Sequence, residues 1–267
     1  MQRQIESFPS VWKTNKYSTY FRYFREYVKW SDFNSLKASL IHTLFHKTTN
    51  KSWESQSELG RFKIRPGTSD FQYVNYAYEF ALRDYLKNSL PGLTHFVDVG
   101  ACIGEYVIWL TQLGVKCYAF EPVNYVILED NIQLNGLTEK IQVYRCGLGS
   151  KKEKVHFDIE PINTGASHIN RTITEGKANV DIDTMDAVFD DLVIADTDKL
   201  IIKLDVEDME EEVIVGAWNF LSRVKNLEII YEKLDENSLK IENALNQCGT
   251  FEFQRLDSHN MIAIKLG

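Results

Sequence analysis

Asp98 and Glu121 are the first residues whose type and spacing could do chemistry. Asp98 opens the run Asp98-Val99-Gly100-Ala101-Cys102-Ile103-Gly104-Glu105, and Glu121 follows Gly100 by 21 residues. Asp98 lies within the short β-rich stretch His95–Val99, and Glu121 follows another, Val115–Phe120. A glycine turn between a strand and a helix lets backbone approach a nucleotide-like ligand, and a carboxylate after the next strand can accept both hydroxyls of a ribose. A second set lies downstream. Lys203, Asp205 and Glu207 alternate along Leu200–Asp205 and its exit, so they lean to one side.

Charge separates the two ligand classes that such a turn serves. A dinucleotide fingerprint beginning at Gly100 would need glycine where Cys102 and Glu105 stand. Cys102 adds bulk beside a pyrophosphate, and Glu105 adds negative charge where phosphate wants none. S-adenosylmethionine has no phosphate and offers an ammonium and a sulfonium, which suit acidic neighbours. The methyl donor is therefore favoured over a nicotinamide or flavin.

Methyl transfer to a hydroxyl needs a base, because an alcohol is a poor nucleophile while it keeps its proton. Asp205 and Glu207 are the candidate carboxylates at the strand end, and His168 is the candidate imidazole, in a polar loop after Asn163-Thr164-Gly165. The competing reading makes Asp205 to Asp208 caps for the next helix and pairs Lys203 with Asp205 or another carboxylate. Asp205, Glu207, Asp208 and Glu232 could also surround a hard divalent ion. Their spacing has no ligand signature, so a metal is not favoured.

The elements that must position these residues alternate. Strands at His95–Val99, Val115–Phe120, Ile141–Arg145, Leu200–Asp205 and Leu227–Tyr231 are interleaved with helical patterns at 105–113, 124–135, 209–222 and 237–247. Another helical pattern, 74–89, precedes them. This predicts an α/β fold with a doubly wound parallel sheet. Thr250–Leu256 and Met261–Leu266 are joined by so short a loop that they must be antiparallel. Lys154–Ile159 and Ala178–Asp183 read as paired strands of an insertion spanning about 152–184.

Composition bounds the rest. The 267 residues are 44% apolar and 25% charged, which is the globular average and excludes disorder and coiled coil. No apolar run approaches the roughly 20 residues of a membrane-spanning helix, and Met1 to Trp12 lacks a secretory core. Four cysteines without a CxxC pair read as reduced thiols in a cytoplasmic protein. Residues 1–55 carry nine Lys/Arg against four Asp/Glu and 12 of the 33 aromatics. With −8 overall, their +5 leaves −13 for residues 56–267. A body so acidic argues against a nucleic-acid substrate. Residues 1–55 are accordingly expected to be a separate helical, aromatic and basic unit, with 56–267 as the core. Its helical patterns, Tyr17 to Val28 and Leu36 to Phe45, would pack on the core, form a lid or dimer surface, or touch a membrane peripherally.

The stretches FVDVGACIGEY (96–106), AFEP (119–122), NIQLNG (131–136) and IIKLDVEDMEEEVIVGA (201–217) resemble the FkbM-type methyltransferases. FKIRPGTSD (62–70) and NTGASHI (163–169) are similar to that family as well, so the likeness runs from about residue 60 to 267. It implies a seven-stranded, Rossmann-like methyltransferase sheet with its last strand reversed, and methyl transfer from S-adenosylmethionine to a hydroxyl of a sugar, glycan or other natural product. Asp98, Gly100 and Gly104 match the family's first motif, with Ala101 and Cys102 between them, and Glu121 matches its ribose-binding acid. Gly147 falls where the segment after the third strand borders the adenine. Arg65 and Asp70, around Pro66-Gly67, would be a lid over the cofactor or a plain surface turn. Two positions depart from the pattern: Cys102 stands where the family commonly has Asn, and Asp208 where it commonly has Gly. They are the support for an alternative, a non-catalytic scaffold that keeps the fold and uses the N-terminal helices as a partner surface. The family says nothing of residues 1–55, and the oligomeric state is left open.

Overall fold

The computed structural model describes residues 17–158, 162, 168–169, 178–206, 208–232 and 238–267. Two helices, α1 (Tyr17–Lys29) and α2 (Phe33–Phe45), lead into a hairpin of β1 (Trp53–Ser57) and β2 (Gly60–Ile64). Tyr20, Tyr23 and Tyr27 of α1, at helical spacing, are buried in the same cluster as Phe62, Phe71, Leu82 and Phe96. Residue 55, the expected boundary, lies inside β1.

Next come α3 (Asp70–Tyr73), α4 (Phe80–Ser89), β3 (Leu93–Val99), α5 (Glu105–Gln112), β4 (Lys116–Phe120), α6 (Tyr125–Leu134) and β5 (Ile141–Tyr144). β6 (Gly147–Leu148) precedes the inserted region, which holds β7 (Glu153–Asp158), β8 (His168–Ile169) and β9 (Ala178–Asp183) and is followed by α7 (Met185–Val188). The chain continues through β10 (Lys199–Leu204), α8 (Glu210–Val215), α9 (Trp218–Arg223), β11 (Leu227–Glu232), α10 (Ser238–Cys248), β12 (Thr250–Arg255) and β13 (Asn260–Leu266).

Seven strands form one sheet in the order β12-β13-β11-β10-β3-β4-β5. All neighbours are parallel except β13, which runs antiparallel to β11 and β12. The alternating pattern and the terminal hairpin are thus borne out. From β3 the chain winds outward through β4 to β5, then returns to β10 on the other flank. Order reverses between β3 and β10, and the crevice beyond their carboxyl ends is where an open α/β sheet binds its ligand. Leu200, Ile201, Ile202 and Leu204 of β10 are buried on both faces, as a central parallel strand requires. Each such aliphatic contributes about 1.5–3 kcal/mol by leaving water. Lys203 is the exception, and its partners define the site.

Two expectations are corrected. The helix expected over 74–89 starts only at Phe80, because the Asn75 side chain accepts the Ala77 N–H and Glu79 takes a left-handed φ of 49°. The helix expected over 209–222 is split after Val215. A Cβ on Gly216 would lie 1.9 Å from the Gly149 carbonyl oxygen, so the backbone just ahead of the insertion is pressed against the break. The β1–β2 hairpin was not expected at all. In the insertion, β7 pairs with β9 antiparallel as expected, within a four-stranded sheet ordered β6-β9-β7-β8.

Candidate active site

Asp98 and Lys203 are register partners on adjacent strands at the switch point. Lys203, only 5% exposed, donates to Asp205 Oδ2 at 2.8 Å and lies 3.9 Å from Asp98 Oδ1. Its Nζ also sits over the Tyr106 ring, 5.3 Å from the centroid. Pairing with carboxylates is therefore what lets a lysine occupy this strand. The capping reading fails for Asp205: α8 is preceded by Met209 without a side-chain cap, and Asp205 instead bonds Lys203.

Two carboxylate oxygens here have no hydrogen-bond partner although they are buried, Asp98 Oδ1 and Glu105 Oε2. Burial pushes Asp98 up to about 7 and Glu105 up to about 8, each raised further by neighbouring carboxylates and opposed by Lys203. A buried oxygen left without a donor is costly, and a cationic ligand would satisfy both. The turn supports that sign of charge. The N–H groups of Gly100 and Ala101 donate to Phe120 O, that of Cys102 to Glu121 Oε2, and that of Gly104 to Ala101 O. With these donors engaged and Glu105 at the first position of α5, the turn is unsuited to phosphate. It does fit the ammonium and ribose end of S-adenosylmethionine.

Gly100 has φ +91°, and a Cβ there would meet Asp205 O at 2.0 Å. Gly104 has φ +90°, and its Cβ would meet Leu128 Cδ1 at 2.5 Å. These glycines bring the first turn against the β10 exit and α5 against α6. Gly147 is tight for another reason, since its Cβ would lie 2.6 Å from Ile182 Cδ1, with Pro122 also near.

Glu121, buried after β4, is more committed than its spacing alone indicates. Oε1 accepts the N–H groups of Val123 and Asn124, and Oε2 that of Cys102. Three of the roughly four acceptor sites of a carboxylate are thus filled by backbone, tying two turns together. Arg65 reinforces the same corner. Its guanidinium grips the wholly buried Asp70 through Nε at 2.8 Å and Nη2 at 2.9 Å, and donates to Asn124 Oδ1 at 2.8 Å. Ser69 reaches Ile162 O of the insertion through its N–H and its hydroxyl.

The two left-handed departures, Cys102 at φ 47° and Asp208 at φ 76°, occupy conformations in which Asn and Gly are least strained. At both positions the residue takes a left-handed φ. Asp208→Val is accordingly expected to lower stability by about 1–2 kcal/mol more than Asp208→Gly does. Urea unfolding of the pair checks this, and equal losses would remove the strain argument.

Of the proposed catalytic residues, only Asp205 is fully placed. Glu207 lies outside the described residues, as do residues 163–167 and the side chain of His168, whose backbone pairs with Asp158. Among the described residues, no three His, Cys, Asp or Glu side chains are disposed to hold a metal ion. No described helix is long and apolar enough to cross a membrane. The structure adds residues the motifs did not mark. Tyr106 donates to Glu79 Oε2 at 2.6 Å, and Glu79 lies close enough to raise Asp98. The buried Tyr78 phenol is near Glu79 and Asp205, and that of Tyr73 near Cys102 and Glu105. Aromatic spacing around 73–78 was the available signal.

The raised carboxyls set a pH dependence. Asp98 and Glu210, both pushed to about 7, and Glu105, at about 8, hold protons in the native chain that the unfolded chain has already lost. His42 and His95 are lowered by burial, so above about pH 7 they are neutral in both states. Between about pH 7 and 8.5 the native state thus binds more protons than the unfolded one, and stability falls as pH rises. A urea midpoint that increased across this window would contradict the assignment.

Residues 98–251 match the family described as the methyltransferase FkbM domain. Among curated proteins none matches the chain. Several solved structures are similar. The FkbM methyltransferase of Methylobacillus flagellatus is 16% identical, with a TM-score of 0.45 over 74% of this chain and 56% of its own. An S-adenosylmethionine-dependent methyltransferase of Agrobacterium tumefaciens is 8% identical, with a TM-score of 0.48 over 82% of this chain and 71% of its own. The magnesium protoporphyrin IX methyltransferase of Synechocystis, solved with bound S-adenosylmethionine, is 11% identical, with a TM-score of 0.40 over 70% of this chain and 76% of its own. The chain thus spans little more than half the length of the Methylobacillus protein.

Proposed function

Because the chain belongs to the FkbM methyltransferase family, we propose that it transfers a methyl group from S-adenosylmethionine to a hydroxyl of a small acceptor, a sugar, glycan or other natural product. The observation that carries this reading is the pair of buried oxygens without a hydrogen-bond donor, Asp98 Oδ1 and Glu105 Oε2, beside the Gly100 turn. Asp98 and Glu105 would hold the ammonium end. Gly100, Ala101, Cys102 and Gly104 would form the floor, with Glu121 offering its remaining acceptor site to a ribose hydroxyl. Gly147, beside Pro122, would border the adenine.

When bound, the donor supplies a methyl carbon already activated on a sulfonium. The chain's own tasks are to exclude water, fix the acceptor oxygen and take its proton. Asp205 is our candidate for the last of these. It stands at the β10 exit with its side chain 41% exposed, its Oδ2 bonded to Lys203. Lys203 fixes the orientation of that carboxylate and neutralises part of the surrounding negative charge. Glu207 and His168 are the other candidate bases. The acidic body suits a neutral or cationic acceptor and opposes a nucleic acid. The protein so read works in the cytoplasm, with residues 1–55 as an attachment to the core. The alternative, a non-catalytic scaffold, has Cys102 and Asp208 as its support, and Gly100, Gly104, Glu121 and Asp205 weigh against it.

Transfer of label from S-adenosylmethionine to a panel of hydroxylated saccharides, with and without a chelator, tests this reading. The expectation is labelled product with wild-type protein and none with Asp205→Asn. Label appearing only on amines would replace O- by N-methylation, and activity lost on chelation would bring a divalent metal into the mechanism.

A further inference from the structure

α2 buries its polar side and only part of its apolar one, with Leu36 partly buried against the core. Its buried residues are Ser35, Ala38, Ser39 and Thr43, whereas Phe33 is 64% exposed, Leu40 40%, Leu44 57% and Phe45 64%. Phe33, Lys37, Leu40 and Leu44 are spaced by four, three and four residues, so they form one outward stripe. The orientation is fixed by the polar face. Asp32 Oδ1 accepts the Ser35 N–H at 3.0 Å, Ser55 donates to Asp32 Oδ2, and Trp53 Nε1 donates to Ser35 Oγ at 3.0 Å. Ser39 and Thr43 are buried with hydroxyls that find no partner. Folding alone would gain by turning the leucines inward and these hydroxyls out. The packing therefore leaves a large apolar face for something else to cover.

Charge decides what. Lys37, Lys47 and Lys51 are exposed beside the stripe and make no ion pair among the described residues. The +5 balance of residues 1–55 contrasts with the −13 of the remainder. A second copy docked symmetrically on this face would bring these lysines toward their own counterparts, which is repulsive. An anionic lipid surface attracts them, lets Lys37 extend past the apolar stripe, and takes up Phe33, Leu40, Leu44 and Phe45 at the acyl boundary. The acidic body is repelled by the same surface, so only this face can approach.

We propose that the outward face of α2 docks the protein on an anionic membrane surface. The inference stands apart from the methyl-transfer reading. It is tested by co-sedimenting the full chain with phosphatidylcholine vesicles that contain or lack phosphatidylglycerol. Wild-type protein is expected to pellet with the anionic vesicles and to be released by salt. Lys37→Gln, Lys47→Gln and Lys51→Gln together should weaken partition roughly a hundredfold, each lysine contributing about fivefold. Leu40→Ser, Leu44→Ser and Phe45→Ser together should abolish it, with an unchanged circular dichroism spectrum. Wild-type protein that stays in the supernatant overturns the proposal, as does pelleting that both variants preserve. So does a dimer in sedimentation velocity that the serine variant splits, which would make the face a self-association surface.

Discussion

Gly100→Ala is expected to cost about 3–5 kcal/mol of stability, because two penalties fall on one atom. The residue holds φ +91°, and the added Cβ would lie 2.0 Å from the Asp205 carbonyl oxygen. That oxygen belongs to backbone at the exit of a central strand, where the Asp205 N–H is bonded to Val99 O, so it cannot swing away. Relief would have to come from parting β3 and β10, the two strands that frame the crevice. Urea unfolding measures the loss. A cost below about 1 kcal/mol would mean that the turn moves freely and does not define the site.

Asp98→Asn is expected to do the reverse, leaving the fold nearly intact while removing donor binding. In the unliganded chain Asp98 sits at about 7, so near neutral pH it is already partly protonated and a neutral isostere changes little. Lys203 keeps its 2.8 Å bond to Asp205. A bound ammonium, by contrast, needs the carboxylate, and deleting one partner of a buried charge pair costs about 2–5 kcal/mol, roughly thirtyfold to several-thousandfold in affinity. Calorimetric titration of the folded variant gives the ratio. Wild-type affinity in Asp98→Asn would show that the donor is held elsewhere.

The parts of this architecture that were legible in the sequence are the locally encoded ones. Asp98, Gly100 and Gly104 could be read because a strand, a glycine turn and a helix follow within a dozen residues, and only glycine accepts φ near +90° beside a neighbouring chain. The reversed terminal hairpin was legible because its loop is too short for anything else. Lys203 in an apolar strand announced a partner, though which carboxylate it would choose depended on the register of β3 against β10.

What stayed hidden depends on contacts distant in sequence. Glu121 reads as a ribose ligand by spacing, yet its oxygens also clasp Cys102, Val123 and Asn124, which only the folded turns bring together. The break at Gly216 follows from Gly149, some 67 residues earlier in the chain, pressing on it, so periodicity over 209–222 could not reveal it. The Leu36 to Phe45 pattern correctly marked an amphipathic helix. It could not show that Asp32, Ser35 and Ser55 would turn the polar side inward.

The account rests on a site that binds a cation through ionised carboxylates, and a calorimetric titration of wild-type protein with S-adenosylmethionine and its demethylated product tests it most directly. Performed in buffers of different ionisation enthalpy, it should show micromolar binding that tightens between about pH 6.5 and 8, with protons released as Asp98 and Glu105 ionise. Absence of binding by a demonstrably folded sample, or affinity that weakens as pH rises through this range, would contradict the account.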